Sequence, residues 1–106
     1  MSIERTGNPN WKVHPGEILK EEFLNPLGMT TYQLAKKLGV PTPRINDIVL
    51  KKRGITPETA VLLARYFSTT EQFWLNLQAN YDIDRAKHQL ARKLKAITPL
   101  AAAAVL

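Results

Sequence analysis

The stretch TTYQLAKKLGVPTPRINDIVL, residues 30–50, decides the fold. Its first half reads as a short helix. Thr30 with Gln33 forms a capping box, in which the hydroxyl takes an orphan N–H and the amide reaches back. Leu34, Ala35 and Leu38 make an apolar stripe, and Gly39 ends the helix as a residue free to take positive φ. Its second half opens with two prolines. Pro41 stiffens the approach, Thr42 is expected as N-cap and Pro43 as first helical residue, where a missing N–H costs nothing. With Ile45 at zero and 100° per residue, Ile48 and Val49 fall within about 60° and form a buried stripe. Pro43, Asp47, Leu50 and Lys51 fall on the opposite side, with Arg44 and Asn46 on the flanks.

Two short helices joined through a glycine turn meet the demands of a helix-turn-helix. Ala35 is small where the second helix crosses, Gly39 sits at the turn, and Leu34, Leu38, Val40, Ile45 and Ile48 occupy the core-facing positions. In such motifs the N-terminal part of the second helix enters the major groove. Arg44 there suits guanine O6 and N7, and Asn46 suits adenine N6 and N7, though either can hold a phosphate instead. Thr42 contacts a base or only caps. Asp47 accepts from cytosine N4, sits off the groove, or orients Arg44 or Lys51 through i,i+3 and i,i+4 pairing; the orienting role is preferred. Lys51, Lys52 and Arg53 follow the helix and suit phosphate contact or a solvated turn. Thr31 and Tyr32 start the first helix of the pair, where N–H groups and the dipole attract phosphate.

The same kind of signal recurs outward along the chain, with no β-type alternation of any length. An earlier run carries Ile18, Leu19 and Phe23 behind His14-Pro15 and is expected to end near Asn25-Pro26. A later one starts at Thr56-Pro57-Glu58 and carries Ala60, Leu63, Ala64 and Phe67. Another starts at a Ser68–Glu71 box and carries Phe73, Trp74, Leu77 and Tyr81. Such a stripe is core by default, yet a domain this small does not easily bury all of it, so part is assigned to a dimer surface. Ile83, Ala86, Leu90, Leu94 and Ile97 repeat at near-heptad spacing over two heptads, too short for a coiled coil. The expected organisation is all-α. A flexible arm covers residues 1–13 and a helix-turn-helix domain 14–82. A helical extension over 83–106 is left for dimer or partner contact.

The chain has 106 residues, no cysteine and two distant histidines, His14 and His88. Disulfides and cysteine-ligated zinc are excluded, and a metal or catalytic site built on histidine is disfavoured. No nucleophile–base pair, carboxylate dyad or phosphate loop is legible, so no enzyme activity, cofactor or small-molecule substrate is expected. No signal peptide is visible, and the apolar end at 100–106 is far shorter than the ~20 residues a membrane helix needs. A cytoplasmic protein is expected. The net charge is +6, which favours a polyanionic partner. Between Met29 and Arg65 seven basic residues face two acidic ones, and from Arg85 to Lys95 there are five basic residues and no acidic one.

Residues 31–48 resemble the helix-turn-helix of phage-repressor-like (XRE) regulators. The wider pattern, with HPGEILKEEFL (14–24), RGITPETAVLLARYF (53–67) and FWLNLQANYD (73–82), is similar to the HigA-type antitoxins of toxin–antitoxin modules. The resemblance implies a five-helix domain that forms a homodimer and represses its own operon from a palindromic operator. It also implies capture of a small RNase toxin of the HigB type, and it supports Phe73, Trp74, Leu77 and Tyr81 as dimer residues. One departure is visible. Phage-type motifs usually carry Ser, Thr or Gln where this chain has Pro41 and Pro43, and a proline side chain cannot hydrogen-bond a base. A solitary regulator without a toxin, or an interaction module using the motif as scaffold, are the alternatives.

Overall fold

The computed structural model describes residues 13–101, so the expected arm, Val13 apart, and the last five residues lie outside the described part. Six helices make up the described residues, with no strand among them. The first, α1, runs over 15–27, as Pro15–Ile18, a π turn at Leu19–Leu24, and Asn25–Leu27. It therefore passes through Pro26, where the sequence suggested an end. The reason lies in the preceding turn: Asn25 N–H reaches back five residues to Lys20. That wider turn relieves the clash between a proline ring and the carbonyl four residues earlier. The chain turns only at Gly28.

Helix α2 is Thr31–Leu38 and α3 is Thr42–Val49. The capping box on α2 is complete, with Gln33 N donating to Thr30 Oγ1 at 3.1 Å and Thr30 N to Gln33 Oε1 at 2.9 Å. Gly39 closes α2 in the left-handed region at φ +73°. The cap of α3 differs from expectation by one residue. Pro41 stands at the N-cap, no side chain caps the helix, and Thr42 is the first helical residue. Both prolines still fit, because N–H groups of a first turn have no intrahelical partner to lose.

Helix α4 is Pro57–Phe67, capped by Thr56, whose Oγ1 accepts from Thr59 N at 3.3 Å. Helix α5 is Glu71–Gln89, and its cap is Thr70, which accepts from Phe73 N at 3.0 Å. The Ser68–Glu71 box is not formed: Ser68 closes α4 at φ +59° and is too early to cap α5. A short α6, Ala91–Ala96, follows with a bend at Leu90. No glycine or proline interrupts residues 71–96, and α5 accordingly runs straight through the expected boundary at 82.

The core is one cluster to which all of α1–α5 contribute. Leu19 and Leu24 meet Leu34 and Ala35 of α2, Ile45 and Ile48 of α3, Ala60 and Leu63 of α4, and Trp74 of α5. Phe23, Phe67, Phe73 and Trp74 stack around it, with Phe23 4.8 Å from Phe67 and 4.9 Å from Trp74 between ring centres. Trp74 is fully buried, and its indole N–H donates to Thr69 Oγ1 at 2.8 Å, which satisfies the one polar atom it takes inside. Gln78 ties α5 to the α3–α4 loop by accepting from Ile55 N–H at 2.6 Å.

Candidate nucleic-acid interface

Helix α3 is amphipathic for a reason its sequence states plainly. Ile45 and Ile48 are fully buried and Val49 half-buried, which presses one side of α3 onto α1 and α2. What remains outward is Pro43, with Thr42, Arg44, Asn46 and Asp47 half-buried around it. The start of α2 lies beside this surface, because Thr31 Oγ1 donates to Asn46 Oδ1 at 3.4 Å. That contact, between residues fifteen apart in sequence, brings two of the candidate residues together. It occupies the Asn46 carbonyl oxygen and leaves the amide N–H₂ free to donate. Tyr32 is exposed, with Lys36 Nζ 5.5 Å from its ring centre.

The cations around α3 are held loosely. Arg44 Nη1 lies 3.7 Å from Glu58 on α4, and Lys51 Nζ lies 3.5 Å from Glu17 on α1. Glu58 is three-quarters exposed, and pairs of this kind contribute about 0–1 kcal/mol. Each cation can therefore exchange its carboxylate for a phosphate or a base at little cost. Neither Arg44 nor Lys51 pairs with Asp47 in this structure, each turning instead to a carboxylate on another helix. Lys51, Lys52 and Arg53 are all exposed, and Lys51 takes the left-handed conformation at φ +66°.

Sequence reading missed the support beneath this surface. His14 and Gly16 form the first turn of α1, with Gly16 N–H donating to His14 Nδ1 at 2.9 Å. Gly16 packs directly against the Ile48 carbonyl at the end of α3, and a β-carbon built on it would lie 1.8 Å from that oxygen. The signal was present, a glycine inside a helix start, but nothing local says what approaches it.

The four residues assigned to a dimer surface sit differently. Trp74 is wholly inside the single chain, which removes it from any surface. Phe73 and Leu77 pack against the core, and Tyr81 rests edge-on against His14 at 4.8 Å. These positions share the face of α5 that meets the rest of the domain. Ile83 lies about 160° away from Tyr81 at 100° per residue, and it is Ile83, Leu90, Leu94 and Ile97 that stand exposed.

Related proteins share this architecture. The helix-turn-helix family model matches residues 19–74. The chain belongs to that family. It is 47% identical over 100 residues to virulence-associated protein I of Dichelobacter nodosus, covering 94% of this chain and 92% of that one. Among solved structures, the antitoxin HigA of Pseudomonas aeruginosa with the higBA promoter superposes with a TM-score of 0.82 at 42% identity, over 85% of this chain and 99% of that one. An addiction module antidote protein of the HigA family from Coxiella burnetii gives 0.79 at 46% identity, over 84% and 98%. Among the described residues no helix is long and apolar enough to cross a membrane.

Proposed function

We propose that this chain is a sequence-specific DNA-binding repressor and the antitoxin of a HigBA-type toxin–antitoxin module. It acts in the cytoplasm without enzymatic activity. It binds a palindromic operator as a homodimer, represses its own operon and neutralises an RNase toxin. The likeness to HigA solved with promoter DNA, 42% identical over nearly that whole chain, carries this reading. The surface of α3 supports it chemically. Arg44 releases Glu58 to take guanine O6 and N7, and Asn46, with its carbonyl oxygen already held by Thr31, donates to adenine N7 or a phosphate. Thr42 and Pro43 fill the groove, where a proline ring makes apolar contact with a thymine methyl. Asp47, with neither cation to orient, takes the accepting role toward cytosine N4. Thr31 and Tyr32 bind phosphate at the start of α2, and Lys51, Lys52 and Arg53 bind it after α3. The exposed stripe of Ile83, Leu90, Leu94 and Ile97 supplies the dimer contact.

The test is binding to the chain's own promoter across salt concentrations, with a random duplex beside it. Arg44→Ala and Asn46→Ala are each expected to lose about 1–3 kcal/mol of operator affinity per half-site while random-duplex binding holds. Equal affinity of the unaltered chain for both duplexes refutes the reading. Co-expression with the neighbouring reading frame tests the toxin. An operator binder that captures no toxin is a solitary regulator.

A further inference from the structure

Between the end of α3 and the middle of α5 the surface opens into a cleft of about 220 Å³. Lys52 and Arg53 line it from the α3–α4 loop, Arg85 and Tyr81 from α5, and the buried His14 from α1. The Arg85 guanidinium lies 5.7 Å from the centre of the Tyr81 ring, which holds it over the aromatic face. No carboxylate pairs with Lys52, Arg53 or Arg85 among the described residues. Asp82 is the one acid in the cleft lining, and Gln78 Nε2 donates to it at 3.0 Å. Three cations without a carboxylate partner, with Lys51 beside them, therefore line one small space against a single carboxylate already engaged. Like charges so placed repel one another unless an anion enters between them. Burial holds the His14 pKa below its ordinary value, and the nearby Lys51 and Arg85 add to that effect against Asp82 and Glu17.

We propose that this cleft binds a phosphate group, and that in the DNA complex its occupant is a backbone phosphate gripped by Lys52 and Arg53 from the loop and Arg85 from α5. The inference rests on the DNA-binding reading above and extends the contact to a helix outside the helix-turn-helix. Arg85 is the member that makes the cleft more than a basic loop. Its planar fork, steadied by Tyr81, presents paired donors to a tetrahedral anion.

The experiment compares the unaltered chain with Arg85→Gln and Arg85→Lys in operator binding across salt. Losing one phosphate contact per protomer, two per bound dimer, lowers the slope of log affinity against log salt by about 1.8. Arg85→Gln is expected to show that drop, with equal weakening on operator and random duplex, and Arg85→Lys to restore the slope. An unchanged slope for Arg85→Gln, with specific operator binding intact, overturns the proposal and leaves the DNA reading standing. Inorganic phosphate, titrated against the same proteins without DNA and followed by NMR, separates the sources. Saturable shifts at Lys52–Gly54 that vanish in Arg85→Gln, with no change of DNA slope, overturn the backbone-phosphate assignment in favour of a free phosphate ligand. If the unaltered chain binds no duplex specifically, the DNA reading fails. The phosphate titration then stands alone, with saturable, Arg85-dependent binding upholding the cleft and its absence overturning it.

Discussion

Gly16→Ala is the sharpest perturbation the structure offers. A single added methyl would lie 1.8 Å from the Ile48 carbonyl oxygen, where ordinary contact begins at 3.4 Å, so α1 and the end of α3 must separate by about 1.6 Å. The obstacle is backbone, not the far end of a flexible side chain, and it belongs to the helix that faces the groove. Overpacking of this kind costs about 1–3 kcal/mol, and a forced backbone shift lies at the upper end. For a domain of about 100 residues that corresponds to a Tm lowered by roughly 10–20 °C, at 4–8 °C per kcal/mol. The separation also pulls the Lys51–Glu17 pair apart and tilts α3, so operator affinity falls more than stability alone explains. Urea unfolding gives the first quantity, and operator binding at a temperature where the variant is fully folded gives the second. Gly39→Ala is the comparison. Its methyl meets nothing within 4 Å, and its penalty comes only from φ +73°, about 1–2 kcal/mol. If Gly16→Ala unfolds with the unaltered chain, or costs less than Gly39→Ala, the close approach of α1 to α3 is not what the geometry says it is.

Three further outcomes follow from single features. Ser68 sits at φ +59° without being glycine, so Ser68→Gly is expected to stabilise by about 0.5–1 kcal/mol, read as a higher urea midpoint. Trp74→Ala empties the centre of the aromatic cluster and should cost about 3–5 kcal/mol; a variant that loses dimerisation at unchanged monomer stability would contradict its place in the core. Burial, then Lys51 and Arg85, lower the His14 pKa from 6.5 against Asp82 and Glu17. The unfolded chain thus takes up the proton first, and stability present above about pH 6.5 declines as pH falls below it. Protonation at Nδ1 also removes the acceptor for Gly16 N–H, so His14→Asn, which keeps a cap acceptor without titrating, should flatten that decline in melts between pH 7.5 and 5.

The residue before a proline disfavours helix, which points to a stop near Asn25-Pro26, yet the π turn ahead of it carries α1 on to Leu27. On α5 the periodicity names the right apolar residues, and Trp74 is the one the structure takes off the surface. Trp74 is wholly buried and Phe73, Leu77 and Tyr81 are half-buried, because α1 and α4 arrive on that side.

By itself the sequence determined what is local: the capping box at Thr30, the turn at Gly39, the Thr56 cap, and the division of α3 into Ile45–Ile48 within and Arg44, Asn46 and Asp47 without. Such features depend on residues three or four apart, which a helix brings together whatever surrounds it. The tertiary structure alone decided the contacts between distant residues. Glu58 rather than Asp47 holds Arg44, Glu17 holds Lys51, and Thr31 meets Asn46. Gly16 lets α1 touch the end of α3, and Arg85 lines the same cleft as Lys52. Those partners are separated by many residues, so only the packing of the helices around one core could choose them.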